Sequence, residues 1–347
     1  WGNCSFVSHL SLEHLAPHHV GELVQQVAAG KTLPAAIAQQ IISRTDGVPL
    51  FVEELTKMVI ESGFVREAAG QYELTGPLPL LSIPTTLQDS LEARLDRLAT
   101  GKEVAQLGAT LGHEFSYALI QAVSPLEEES LQHELRRLVD AELLYQRGET
   151  PHTTYTFRQT LIRESAYQSL LKSRRQAYHH QIALVLEERF PETVQTLPEL
   201  VAHHFTQAGH TEQAIPYWQC AGQRAVESSA NEEAIRHLQT GLTLLEHLPD
   251  TPQRTQQELA LRVALGTPLT ATQGYTAPAV EELYTQAREL CRQLGETPQL
   301  FLVLFGLWRF YLVAGKSHIA RELAEQCLRQ AESVNTASFL LAAHLML

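Results

Sequence analysis

The residue types that could do chemistry fall in a few places, beginning with Ala29-Gly30-Lys31-Thr32, which imitates the end of a phosphate-binding loop. Such a loop cradles phosphates with backbone amides and reaches them with its lysine. It also needs a glycine at the position of Gln25, a strand before it and a helix after it. Here a helical pattern precedes, and Pro34 starts the next helix, so the match is rejected. No other Gly-x-x-x-x-Gly-Lys-Ser/Thr occurs, and no strand ending in an acidic pair for magnesium is visible. The 16 histidines cluster at His14, His18 and His19, at His179-His180 and at His203-His204. None has an acid or cysteine at ligand spacing. Adjacent histidines on a helix point about 100° apart, which favours surface or groove positions over a shared metal. Glu53-Glu54 could pair two carboxylates but has no visible partner, and no nucleophile stands beside a base.

The elements that would position such groups read as mostly helical. Residues 1–63 follow apolar 3–4 spacing, broken at Arg44-Thr45-Asp46-Gly47-Val48-Pro49-Leu50-Phe51-Val52-Glu53-Glu54-Leu55. Gly47 permits the positive φ that ends a helix, and Pro49 suits the first turn of the next. Phe64-Val65-Arg66 and Gln71-Tyr72-Glu73-Leu74 flank Ala69-Gly70 as a small hairpin. Pro77, Pro79 and Pro84 then make a stiff connector. Leu87, Leu91, Leu95 and Leu98 form one helical stripe, and Gly108, Gly112 and Phe115 mark a tight corner. A short helix begins at Ser116, and a further helix spans 126–140. Leu143–Arg147 and Thr154–Phe157 alternate around Gly148-Glu149-Thr150-Pro151 as a two-stranded wing, so 81–190 reads as a winged helix. Its last helix before the wing, with its exit, carries Glu127, Glu128, Glu129, Glu134, Asp140 and Glu142 against Arg136 and Arg137. That balance repels DNA phosphates and predicts a protein-packing role. Arg174-Arg175 reads as a solvated helix start.

Residues 191–347 show degenerate helix-pair repeats of tetratricopeptide type. Ala202, Phe205, Gly209, Ala214, Trp218 and Ala221 fit that template, and the same offsets recur at Trp308, Tyr311, Gly315, Ala320, Ala324 and Cys327, a shift of 106 residues. Phe205, Trp218, Trp308 and Tyr311 are candidates for a partner-binding groove, with packing as the plainer role. Thr267–Ala279 is expected to be an irregular connector, with Pro268 among the prolines that punctuate the helices.

The 347 residues are 44% hydrophobic and 19% charged, a globular balance, and the net charge of −13 argues against nucleic acid as the main partner. No apolar run approaches the roughly 20 residues of a membrane helix. Cys4, Cys220, Cys291 and Cys327 have neither zinc nor redox spacing and suit reduced thiols in a cytoplasmic protein. The start at Trp1, with no signal peptide, predicts a fragment with further segments upstream, and the uncapped last helix predicts that the array continues.

The Gly-x-Pro run at 44–55 resembles the corner that opens the helical lid in STAND-branch AAA-type ATPases. The wider chain is similar to the region after the ATPase core in bacterial proteins with an N-terminal class III adenylate/guanylate cyclase domain. The resemblance implies a mainly α chain: a helical lid over 1–80, a winged helix over 81–190 and an α-solenoid over 191–347. It implies nucleotide contact at Gly47 and Pro49, with Arg44 beside them, to ATP or ADP whose magnesium is held by an upstream P-loop core. After the wing, Tyr155-Thr156-Phe157-Arg158-Gln159-Thr160-Leu161-Ile162-Arg163-Glu164-Ser165-Ala166-Tyr167 resembles the family's aromatic-x-Phe-x-His run, with Gln159 where the family has a phosphate-sensing histidine. Glutamine can donate a hydrogen bond but carries no charge. The resemblance further implies an inactive fragment, with partners in the ATPase core, a cyclase domain, and an unknown protein or ligand at the repeats. Two alternatives remain: a large LuxR-like transcription regulator, whose basic helix–turn–helix is absent from this chain, and a repeat scaffold without a working ATPase.

Overall fold

The computed structural model describes residues 13–61, 63, 65–68, 70–75, 86–149, 152–295, 297–334 and 337–347. The proline connector at 76–85 and Cys4 therefore lie outside the described residues. The chain is mainly α, with eighteen helices and five short strands among the described residues. It divides into two compact units between Arg175 and Gln176.

The first unit opens with α1 (Pro17–Val27), α2 (Ala35–Thr45) and α3 (Pro49–Glu61), followed by the hairpin of β1 (Val65–Ala68) and β2 (Gln71–Leu74). Val20, Val24, Ile37, Ile41, Val52 and Leu55 recur at helical spacing and close into one core. Prolines at the starts of α1 and α3 cost no intrahelical hydrogen bond there. The Gly30-Lys31 decoy lies in the turn after α1, where Ala29 and Gly30 take positive φ. Lys31 pairs with Glu67 at 2.7 Å and lies over the Tyr72 ring, so the hairpin occupies it.

Next come α4 (Leu87–Asp96), α5 (Thr100–Leu111), β3 (Glu114–Ser116), α6 (Tyr117–Val123), α7 (Glu128–Asp140), β4 (Leu144–Arg147), β5 (Thr154–Phe157) and α8 (Thr160–Gln168). Thr86 and Ser116 cap α4 and α6 through their hydroxyls. The sheet order is β3-β5-β4, antiparallel throughout. The expected hairpin is present, but the tight corner at 108–115 is more than a corner. It contains the end of α5 and the edge strand β3. A Cβ on Gly108 would come within 2.7 Å of the Phe115 ring, so the glycine makes room for that strand.

α9 (Lys172–Arg189) runs through the division. The second unit continues with α10 (Pro191–Thr196), α11 (Pro198–Ala208), α12 (Thr211–Glu227), α13 (Asn231–Leu245), α14 (Pro252–Gln273), α15 (Pro278–Leu294), α16 (Gln299–Val313), α17 (Ser317–Val334) and α18 (Ala337–Met346). Each helix from α11 onward packs on the next, and α12, α14 and α16 also touch in series, which is an α-solenoid. Both sets of repeat positions fall on matching helix pairs, α11–α12 and α16–α17. Gly209 and Gly315 take positive φ at the turns, while Ala214, Ala320, Ala324 and Cys327 are buried.

One expectation fails in this unit. Thr267–Ala279 is not an irregular connector, because α14 continues to Gln273 and only 274–277 links it to α15. Pro268 sits inside the helix and is buried. Packing of α14 against α13, α15 and α16 outweighs the roughly 3 kcal/mol that an interior proline costs. α14 and α16 are held around one ring: Cβ atoms on Gly266 or Gly306 would lie 2.2–2.3 Å from Tyr284.

Candidate functional site

The corner between α2 and α3 is built by two consecutive left-handed residues, Asp46 at φ 47° and Gly47 at φ 69°. Val48 N–H closes the turn on the Thr45 carbonyl at 2.9 Å, and the Leu15 N–H donates to the Gly47 carbonyl at 2.8 Å. Gly47 is buried against that segment, where a Cβ would lie 2.2 Å from the Leu15 carbonyl oxygen. Glycine is thus required here by conformation and by space. Pro49 begins α3 and is exposed, while Arg44 is half-buried in the last turn of α2. His14 Nδ1 approaches Asp46 at 3.4 Å across the mouth of the turn.

Gly47→Ala therefore carries two penalties, left-handed strain of about 1–2 kcal/mol and displacement of Leu15. Gly30→Ala carries only the first, since its Cβ would meet nothing within 4 Å. Exchange protection of the α2 and α3 amides should fall more in Gly47→Ala than the same measurement shows around Gly30→Ala. Equal losses would mean that the Leu15 contact does not hold the corner.

α3 leaves the corner carrying charge into the rest of the unit. Glu53 and Glu54, unpartnered in the sequence reading, both find cations. Glu53 accepts from Lys57 at 2.7 Å one turn on. Glu54 pairs with Arg94 of α4, and both side chains are 3% exposed. Arg94 also donates to the Ala141 carbonyl at 2.7 Å, and Arg97 donates to the Met58 carbonyl at 3.2 Å. Lys57 and Arg158 converge on Glu142, Arg158 at 2.7 Å, and Glu142 itself has a left-handed φ of 56°. The hydrogen bond from Lys57 holds the Glu142 carboxyl below its ordinary range, with Arg158 adding to it. Burial opposes the charge on Lys57, but Glu142 and Glu53 overcome it and raise its pKa. α3 is thereby tied to α4, to the turn before β4 and to the end of β5. Sequence spacing carried no sign of this, because Glu54 and Arg94 lie 40 residues apart.

The remaining candidate residues stand elsewhere. Gln159 is the N-cap residue of α8, and its side-chain oxygen is buried without a hydrogen-bond donor. Arg174 pairs with Glu103 at 3.1 Å, and Arg175 stacks on Tyr167 and donates to carbonyls at the end of α8. Arg175 is therefore engaged within the unit, while Arg174 stays at the surface in an exposed ion pair, as a solvated helix start would have it. In the array, Phe205 is fully buried, and Trp218 donates to Thr206 at 3.0 Å and stacks on His237. Trp308 packs on Phe305, and Tyr311 donates to Glu281 at 2.5 Å. All four are engaged within the array.

The histidine reading also changes. His179 and His204 are buried, with their Nδ1 atoms 2.8 Å apart, and His203 lies edge-on to both rings. Residues 25 apart on α9 and α11 meet. The expected divergence of sequence neighbours fails too, since the ring centroids of His203 and His204 lie 5.6 Å apart and those of His18 and His19 3.8 Å apart. Burial, then His179 and His203, push the His204 pKa down to about 3, so it stays neutral near pH 7. Among the described residues, no group of three or more histidine, cysteine, aspartate or glutamate side chains is arranged to hold a metal ion.

No family model matches the chain. An uncharacterized protein of Rhizobium meliloti is 28% identical over 268 residues, which is 76% of this chain and 25% of that protein. The match therefore spans a quarter of the relative's length. Among solved structures, the chain is similar to a STAND protein of Pyrococcus horikoshii with a tetratricopeptide repeat sensor. Identity is 12%, the TM-score is 0.31, and the match covers 98% of this chain and 57% of that one.

Proposed function

We propose that the chain is the regulatory arm of a STAND-type signalling ATPase: lid helices, winged helix and repeat sensor. The observation that carries this reading is the corner at Asp46-Gly47. It is pinned by Leu15 and presents exposed Pro49 at the head of α3. An exposed proline ring on a fixed turn can rest on an adenine base, with Arg44 beside it and Gln159 as a neutral donor near the phosphates. The phosphates and magnesium would be held by a P-loop core upstream. The ion pair between α3 and α4 gives such a lid a means of moving α4–α8 with it, and the element order α4 to β5 suits a winged helix. The acids of α7, with Arg137 clamped by Glu134 at 2.8 Å, suit packing on protein and not on DNA.

In this reading the repeats sense a protein or ligand, and its binding biases an open or closed lid. The chain works in the cytoplasm; no helix among the described residues is long and apolar enough to cross a membrane. A class III cyclase, if joined to the same protein, performs its chemistry outside these residues, and this chain alone hydrolyses no ATP. The test is Pro49→Ala in the natural full-length protein. Loss of one apolar contact with the base should weaken ADP binding by about tenfold, measured by calorimetry. Unchanged affinity would return Pro49 to a helix-starting role alone.

A further inference from the structure

The second unit holds a cavity of about 880 Å3 between α15 and α17, with α16 behind it. That volume is in the range of small-molecule sites. Its floor is apolar, made by Leu300 and Leu304 with Cys291. Its walls carry three guanidinium groups, Arg288 and Arg292 from α15 and Arg329 from α17. Against these, the described lining residues supply one carboxylate, Glu289, so three positive charges less one negative leaves +2. The surplus stands out in a chain whose net charge is −13.

The three arginines are not equally committed. Arg292 is taken up by Glu289 through two hydrogen bonds of 2.9 and 2.6 Å. Arg288 spends one N–H on Gln326 of α17 at 2.9 Å, a bond that fixes its guanidinium across the gap. Among the described residues, Arg329 is exposed and makes no hydrogen bond or ion pair. Two exposed guanidinium groups with spare donors, one on α15 and one on α17, thus line the same apolar-floored cavity. A planar guanidinium matches the paired oxygens of a carboxylate or phosphate.

We propose that this cavity binds a small organic dianion, phosphate or carboxylate, whose charged end lies between Arg288 and Arg329 and whose apolar body rests on Leu300 and Leu304. This deepens the sensing role proposed for the repeats and rests on that role only for its biological meaning. Binding is read on the chain without nucleotide, so failure here leaves the reading of the Gly47–Pro49 corner untouched.

The test is calorimetric titration of the chain with phenyl phosphate and with phthalate, in the native protein and in two double variants. Arg288→Gln/Arg329→Gln removes the site. Arg236→Gln/Arg321→Gln removes the same charge from exposed positions that do not line the cavity. The expected result is saturable binding of at least one probe, weakened about tenfold or more in the first variant and retained in the second. Tighter phenyl phosphate binding would mark a phosphate ligand, and tighter phthalate binding a carboxylate. Equal weakening in both variants, or no saturable binding of either probe up to about 10 mM, overturns the proposal.

Discussion

Arg94→Met should raise hydrogen exchange of the α3 and α4 amides about a hundredfold or more. The reason is the partner left behind. Glu54 is almost entirely buried, and Arg94 is its cation. Removing one member of such a pair leaves an uncompensated buried charge and costs about 3–5 kcal/mol. The Ala141 carbonyl loses its donor in the same step. Replacing both members by apolar groups is a different case, because the desolvation of both charges disappears with them. Glu54→Leu/Arg94→Met should therefore recover most of the lost protection. Exchange is the right readout because it reports on these helices separately from the repeat unit. A loss below about 1 kcal/mol in the single variant would show that water reaches Glu54 and that the pair does not tie α3 to α4.

The second large effect is acid sensitivity of the repeat unit. His204 stays neutral in the folded chain, with its pKa pushed down to about 3, while an unfolded histidine titrates near 6.5. Between those values the unfolded chain binds the extra proton, so stability falls as pH falls. Above about 6.5 both states are neutral and the group makes no pH-dependent difference. From pH 7 to pH 5 the loss is about 2 kcal/mol for this one site. His203, also held low by burial, acts in the same direction. Thermal unfolding followed by tryptophan fluorescence should show the midpoint dropping over that range. His204→Asn keeps a polar, non-titrating side chain beside His179 and should flatten the slope. Equal stability of the native chain at pH 7 and pH 5, or an unchanged slope in the variant, contradicts this account.

The sequence shows some of this plainly and hides the rest for physical reasons. The helix end at Gly47 and the helix start at Pro49 were legible because the positive φ of one and the missing N–H of the other are local demands. The two repeat pairs were legible because small residues recur at fixed offsets where helices must approach. Helix α5 was missed because Gly108, read from the sequence as part of a corner, lies inside it. β3 is three residues long, too short for alternation. Pro268 misled because an interior proline is a local penalty, and packing of neighbouring helices outweighed it. Within the candidate site, the Gly47–Pro49 corner was legible because its backbone demands are local. The partners of Glu53 and Glu54 were divided: Lys57 is one helical turn away and within reach of a spacing argument, whereas Arg94 is brought near only by folding. The His179–His204 pair was hidden in the same way, between two helices.

The central claim is that the corner at Arg44, Gly47 and Pro49 closes on a nucleotide. The measurement that tests it most directly is hydrogen exchange of the natural full-length protein with and without ADP. The account predicts added protection at the start of α3, extending through the Glu54–Arg94 contact to α4. Saturating ADP that leaves residues 44–55 unchanged would contradict it.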